Sequence, residues 1–102
     1  MSLTLVNLFT VPAAEADSFV ERFKATAERC AGVAGFEGTE LHRNTGVGDQ
    51  TYQFVNIAKW ENAEAWRAAL PLIMAGASLA GGVIPKATLY ESVFRFAPDG
   101  RD

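Results

Sequence analysis

Residues 54–70, FVNIAKWENAEAWRAAL, join a strand-like run to a helix-like run. The first seven residues are rich in side chains that favour β-structure. Asn62 then has the position of a helix N-cap, and Trp66, Ala69 and Leu70 recur after it at helical spacing. This junction predicts a strand that leads directly into an amphipathic helix.

The sequence on either side of this junction predicts the other elements. The periodicity changes from strand-like to helix-like after Pro12, and the glycines at positions 32 and 35 end the helical pattern. Residues 44–50, NTGVGDQ, have the composition of a hairpin loop. The predicted elements are a strand over 3–11, a helix over 14–32, strands over 36–43 and 51–60, a second helix after Asn62, and a fourth strand over 87–96.

The order of these elements, β-α-β-β-α-β, predicts an α+β, ferredoxin-like domain with an antiparallel sheet. We expect the whole chain, residues 1–102, to form this single domain, with a polar tail from about residue 97. Pro71 is expected to break or kink the second helix, and residues 72–82 to form a short helix or an irregular turn. In this fold the first and third strands lie side by side at the centre of the sheet, and both helices cover one face.

Apolar residues alternate onto both faces of the central strands. Because the chain supplies helices for only one face, we expect a second copy of the sheet to cover the other in a homodimer. The face predicted to lack helices carries Val6, Leu8, Val55 and Ile57.

Composition and charge exclude several classes of function. A net charge of −3 and a pI near 5.1 argue against a nucleic-acid partner, and no apolar run is long enough for a membrane span. Cys30 is the only cysteine, which is typical of a reducing cytoplasm. His42 is the only histidine, and no Gly-x-Gly-x-x-Gly motif is present, so neither a metal nor a dinucleotide cofactor is expected.

The central strands also carry polar residues where the sheet should meet the helices. Asn56 and Trp60 are four residues apart and share one face of their strand, and Asn7 has the same phase on the neighbouring strand. A buried carboxamide without a partner costs about 1–3 kcal/mol, so two of them predict a cavity for a planar, oxygenated, apolar ligand. Alternatively, the tryptophans are core residues and each asparagine bonds nearby backbone. The other predicted lining residues are Phe9, Phe54 and Trp66.

The segment VNIAKWENAEAW, which follows a hairpin after GTELHR, resembles the antibiotic biosynthesis monooxygenase family of small dimeric α+β barrel proteins. The anthrone-oxidising members in particular carry an asparagine, a tryptophan four residues on, and an aromatic residue six further. That resemblance implies that Asn56, Trp60 and Trp66 are catalytic, with Trp66 in place of a tyrosine. His42 lies where some relatives have a histidine, which implies a contact with the substrate. The arginine that those enzymes carry on the next helical segment is absent here.

The resemblance implies a cofactor-independent monooxygenase that oxidises a phenolic, anthrone or quinol-type aromatic with O₂. Asn56 and the indole N–H of Trp60 would donate hydrogen bonds to the substrate oxyanion, and Trp66 would stack on the substrate. Haem degradation, found in relatives with a histidine in the C-terminal half, is disfavoured because no histidine follows His42. A non-catalytic dimeric module that binds a small molecule remains the alternative.

Overall fold

The computed structural model describes residues 2–75 and 79–99. Its elements occur in the order β-α-β-β-α-β, so the predicted ferredoxin-like α+β fold is confirmed. A short 3₁₀ turn, Ala13–Glu15, precedes the first helix. The strands and helices are β1 (Leu3–Thr10), α1 (Ala16–Arg29), β2 (Phe36–Arg43), β3 (Phe54–Trp60), α2 (Ala63–Met74) and β4 (Ile84–Tyr90).

The four strands form one antiparallel sheet in the order β2-β3-β1-β4. The first and third strands are therefore central, as the sequence predicts. In their register Asn7 lies directly opposite Asn56, with Leu5 opposite Ala58 and Phe9 opposite Phe54. Since side chains alternate along a strand, these residues all point to the same face of the sheet.

The first helix lies on that face through its apolar stripe. Phe19 is fully buried, and its ring centroid lies 4.9 Å from those of both Phe9 and Phe54. Such tilted ring contacts add about 0.5–1.5 kcal/mol to the stabilisation from burying apolar area. Val11 and Val83 complete this part of the core. One end of the sheet is thus closed by packed aromatic rings.

The second helix begins at the predicted N-cap and passes through Pro71. The Asn62 carboxamide oxygen accepts a hydrogen bond of 2.8 Å from the amide of Ala65. Pro71 neither breaks nor ends the helix, which continues to Met74, so of the two expected effects, a break or a kink, the break does not occur. A proline removes only its own N–H bond, and Pro71 is exposed, three residues before the helix ends. In the region predicted to be a short helix or an irregular turn, 72–74 are helical, 79–82 are loop, and 76–78 lie outside the described residues.

Several predicted boundaries require correction. The first helix is shorter than the range 14–32, and the third strand begins at Phe54 rather than at residue 51. The fourth strand spans 84–90 rather than 87–96, because its partner β1 pairs Thr10 with Ile84 and Thr4 with Tyr90. After Tyr90, no strand in the described part of the chain is left to pair with.

An edge strand tolerates proline, which explains why Pro85 can lie inside β4. The segment that follows β4 has no regular secondary structure and exposes three large apolar side chains, Val93, Phe94 and Phe96.

The other face of the sheet carries no helix of the described chain. There Val6 lies opposite Ile57 and Leu8 opposite Val55, and all four side chains are only partly buried. We call this surface, formed by Val6, Leu8, Val55 and Ile57, the helix-free face. Among the described residues, no helix is long and apolar enough to cross a membrane.

Candidate functional site

A cavity of about 190 Å³ lies between the helix-covered face of the sheet and the two helices. The strands supply its floor and the helices supply its walls. Its lining is mostly apolar. Besides phenylalanines of the aromatic core around Phe19, it includes three large aromatic side chains, those of Phe36, Trp60 and Trp66. The lining residues are Leu5, Asn7, Phe9, Phe23, Thr26, Ala27, Cys30, Phe36, Thr39, Asn56, Ala58, Trp60, Trp66, Leu70, Ile73, Met74, Leu79, Pro85 and Ala87.

Two carboxamides lie side by side in the floor of this cavity. Asn56 is only 7% exposed, and its Oδ1 accepts a hydrogen bond from the hydroxyl of Thr39 on β2. The Oδ1 atom of Asn7 is buried and has no hydrogen-bond partner among the described residues. A buried amide oxygen without a partner is costly, so its presence in a cavity floor indicates a group that a ligand can satisfy.

The indole of Trp60 forms one end of the cavity. Its side chain is 2% exposed, and its ring centroid lies 5.1 Å from that of Phe36. The ring packs with Leu5, Ala58 and Ala69 in a cluster separate from the aromatic core around Phe19. Its Nε1 is buried without an acceptor in the described part of the chain, although a buried indole N–H usually has one.

Five of the seven residues singled out from the sequence line the cavity. The strand phase and the helical spacing were sufficient to bring these five together. They are Asn7, Phe9, Asn56, Trp60 and Trp66.

Phe54, predicted to bind substrate, lies beside the cavity rather than in its lining. Its ring is 2% exposed and packs against Phe19, and the guanidinium carbon of Arg43 lies 5.1 Å from its centroid. The prediction followed the strand alternation, which is correct, but α1 covers this end of β3 and leaves no space for a ligand. Phe54 thus supports the wall of the cavity through the core.

His42, also predicted to contact the substrate, is not brought to the cavity. It pairs with Val55 across the β2–β3 ladder and therefore points to the opposite face of the sheet. It is exposed, and its Nε2 lies 3.0 Å from a carboxylate oxygen of Glu40. The position of His42 does not support the predicted contact with the substrate. Its neighbours on β2, Leu41 and Arg43, point to the cavity face, whereas His42 points to the other face.

The sequence reasoning missed three polar residues of the lining: Thr26, Cys30 and Thr39. Cys30 directly follows α1, and the helical stripe that buries it also turns it to the cavity. Burial raises the pKa of its thiol, and nearby Arg29 opposes that shift in part. Thr39 could have been found by the strand phase, because it shares a face with Leu41, the cross-strand partner of Asn56.

The arrangement can bind an apolar ring and hydrogen-bond an oxygen on it. Trp60 Nε1 and Asn56 Nδ2 are donors, and Asn7 Oδ1 is an acceptor, all within an apolar lining. No group of three or more His, Cys, Asp or Glu side chains that could hold a metal occurs among the described residues. Fold and site together define a domain of the ferredoxin-like α+β class with a mostly apolar cavity between sheet and helices.

Comparison with known proteins identifies the family. The antibiotic biosynthesis monooxygenase family matches residues 2–70, and the chain belongs to this family. None of the curated proteins compared by sequence matches the chain.

Three solved structures illustrate its relatives. A candidate monooxygenase from Shewanella loihica PV-4 is 29% identical, with a TM-score of 0.75, over 92% of this chain and 96% of that one. SnoaB, a cofactor-independent oxygenase from Streptomyces nogalater solved as an asparagine-to-alanine variant, is 30% identical, with a TM-score of 0.71, over 95% and 97%. The haem degrader MhuD from Mycobacterium tuberculosis is 24% identical, with a TM-score of 0.69, over 93% and 99%, and shows the shared fold.

Proposed function

We propose that this protein is a cofactor-independent monooxygenase that oxidises a phenolic, anthrone or quinol-type aromatic with O₂. The family assignment and the similarity to SnoaB support this class of reaction. The observation that carries the proposal is the pair of buried polar atoms without partners on residues that line the cavity, Trp60 Nε1 and Asn7 Oδ1. They are arranged in apolar walls of the kind that bind a flat oxygenated ring.

The reaction needs no reductant because the substrate supplies the electrons. Loss of a proton converts the bound phenol or anthrone to an electron-rich anion, which passes one electron to O₂. The two radicals combine to a peroxide at the ring carbon. For a methylene carbon, loss of water then leaves a carbonyl. One oxygen atom is retained, and the other departs in the water with the two methylene hydrogens.

The protein contributes by stabilising the anion. Asn56 Nδ2 and Trp60 Nε1 donate hydrogen bonds to the substrate oxygen as its negative charge develops, and Trp66 stacks on the ring. Preorganised donors in a cavity without water are worth more than the same donors in water, because they need no reorganisation. These bonds strengthen between the neutral substrate and the anion, so they accelerate the reaction rather than only tighten binding.

Among the described residues that line the cavity, none is an ordinary general base. Cys30 is its only lining residue that titrates near neutral pH or above, and burial keeps its thiol protonated by raising the pKa. His42 lies on the other face. The proton must therefore pass to water, which restricts the substrate to compounds that are themselves acidic, as anthrones and dihydroxynaphthalenes are.

An oxygen electrode tests the proposal with chelator-treated protein and an anthrone. We expect O₂ uptake above the rate without protein, a kcat lower by about 10²-fold in Asn56→Ala, and mainly a higher KM in Trp66→Phe. Gln50→Ala, which removes a carboxamide from the exposed hairpin loop, should change neither constant. Uptake that stays at the background rate until iron or flavin is added would contradict the mechanism.

The missing base also favours the second candidate, a non-catalytic module that binds a small aromatic molecule. The same cavity would then hold its ligand without turnover. Absorbance difference spectra with a panel of anthrones and dihydroxynaphthalenes separate the two candidates. Saturable spectral changes in air without product formation would support the module, whereas product formation would support the oxygenase.

The assembly proposed for either function is a homodimer in the cytoplasm. The helix-free face is apolar, and Phe94 and Phe96 beyond β4 are 82% and 74% exposed, so the single chain leaves much apolar surface uncovered. Sedimentation should give the mass of two chains, and Ile57→Glu should shift it to one. Val47→Glu, the same change in the exposed hairpin loop, should leave the mass unchanged. A wild-type mass of one chain at micromolar concentration would exclude the dimer.

A further inference from the structure

We propose that Thr39 is a positioning residue that turns the carboxamide of Asn56 so that its nitrogen, not its oxygen, faces the ligand. The inference rests on the proposed role of Asn56 as a donor to the substrate oxyanion. Thr39 lies on β2, outside the strand-to-helix segment that carries Asn56, Trp60 and Trp66.

The register places the two side chains together. Leu41 is the cross-strand partner of Asn56, and Thr39 is two residues earlier on β2, so Thr39 is the diagonal neighbour of Asn56 on the same face. The Thr39 hydroxyl donates its hydrogen bond to Asn56 Oδ1, and both side chains line the cavity. Threonine is stiff at its first side-chain torsion, so its hydroxyl oxygen is held in place beside Asn56.

A carboxamide has two orientations of nearly equal shape, and only its hydrogen bonds select one of them. In the described structure Asn56 makes no side-chain hydrogen bond other than the one from Thr39. That bond directs Oδ1 to β2 and leaves Nδ2 free to donate. Without it, the amide could turn its oxygen to the ligand, where it would repel a developing oxyanion.

The neighbouring carboxamide does not substitute for Thr39. Asn7 lies directly opposite Asn56, but its Oδ1 has no partner among the described residues, so the two amides are not bonded to each other through that atom. The orientation of Asn56 therefore depends on β2 rather than on β1. A sequence search confined to the central strands would overlook this dependence.

Bound 4-nitrophenol tests the orientation without turnover, because its phenol and phenolate absorb at different wavelengths. Thr39→Val removes the hydroxyl at nearly constant volume, and Thr39→Ser retains it. We expect the ionisation equilibrium of the bound phenol to shift about tenfold towards the neutral form in Thr39→Val. Thr39→Ser should retain the wild-type value. Thr88→Val, the same change on the helix-free side of the other edge strand, should also retain it.

A ligand-free measurement keeps the proposal falsifiable if 4-nitrophenol binds too weakly. The ¹⁵N side-chain amide signals of Asn56, assigned by their loss in Asn56→Ala, should be sharp in the wild type and in Thr39→Ser. They should broaden or move in Thr39→Val as the amide samples both orientations. Unchanged signals in Thr39→Val would overturn the inference, as would an unchanged phenol equilibrium.

Kinetics distinguish this inference from the proposed function. If the wild type consumes O₂, Thr39→Val should lower kcat about tenfold with little change in KM, and Thr39→Ser should restore it. Wild-type turnover with an unaffected Thr39→Val variant would overturn only the role of Thr39. If the wild type gives no turnover, the proposed oxygenase fails, but the nitrophenol and amide measurements still decide how Asn56 is oriented.

Discussion

The side chains of Asn7 and Asn56 face each other across the two central strands, yet Asn7 Oδ1 accepts no hydrogen bond from Asn56. Two neighbouring amides could satisfy each other in a sheet that served only for stability. Here Asn56 accepts a hydrogen bond from Thr39 on β2, and both amides retain polar atoms that can bond to another molecule. The ligand-free protein is therefore less stable than it would be if these polar atoms were hydrogen-bonded. A ligand that bonds to them would recover this free energy.

Asn7→Leu should test this cost. Replacing a buried carboxamide whose oxygen has no partner by an apolar side chain of similar size should raise the free energy of unfolding by about 1 kcal/mol. Asn62→Ala is the matched contrast, because Asn62 caps α2 and its loss should lower stability by about 1 kcal/mol. Urea unfolding of both variants shows whether each substitution raises or lowers the free energy of unfolding. A destabilised Asn7→Leu variant would mean that the Asn7 amide is satisfied in solution.

The cavity volume predicts the size of ligand that binds. A cavity of about 150 Å³ is known to hold benzene, so the 190 Å³ here should accept one substituted ring or two fused rings without rearrangement. Affinity should rise from hydroquinone to dihydroxynaphthalene. A three-ring anthrone should bind only with displacement of exposed lining side chains, such as Met74, which is 60% exposed. Tryptophan fluorescence titrations give the series, and equal affinity for all three sizes would contradict it.

Cys30 should make the protein less stable in alkali. Burial raises the pKa of its thiol above its ordinary value of 9.0 in the folded protein. The stabilisation is complete below the pKa of the unfolded chain and is lost as the pH rises through that of the folded state. The free energy of unfolding, measured in urea at pH 8 and pH 10, should fall more in the wild type than in Cys30→Ala. Equal losses would show that the thiol titrates normally.

Gly35 should be irreplaceable at the entrance to β2. Its φ of 84° lies in the left-handed region, and a Cβ atom there would be 2.5 Å from the Cβ of Ala65 on α2. Gly35→Ala should lower stability by at least about 2 kcal/mol, from backbone strain and the clash together. Gly32→Ala, where a Cβ meets nothing within 4 Å, should change stability by less than about 0.5 kcal/mol. Similar thermal midpoints for the two variants would contradict the expected difference.

Local periodicity was sufficient to predict the fold and the central part of the cavity lining. The alternation in β1 and β3 places Asn7, Asn56 and Trp60 on one face, and the helical spacing after Asn62 turns Trp66 towards them. These features depend on neighbours a few residues apart. They need no knowledge of the tertiary packing.

The errors arose where distant elements decide the outcome. Phe54 is a core residue rather than a lining residue because α1 packs against its end of the sheet. The pairing of β4 with β1 determines that the last strand ends at Tyr90. His42 was assigned by resemblance, whereas its register with Val55 turns it away from the cavity. Each of these depends on contacts between residues far apart in the sequence, which local patterns do not contain.

The position of β2 at the edge of the sheet, bonded only to β3 within the described chain, has a consequence for heat sensitivity. Edge elements open locally at lower free energy than central ones, and their amide hydrogens exchange first. Brief detachment of β2 would carry Thr39 away from Asn56 while the central pair of strands stays intact. Warming should therefore abolish the proposed donor function of Asn56 below the melting temperature, and the loss should reverse on cooling.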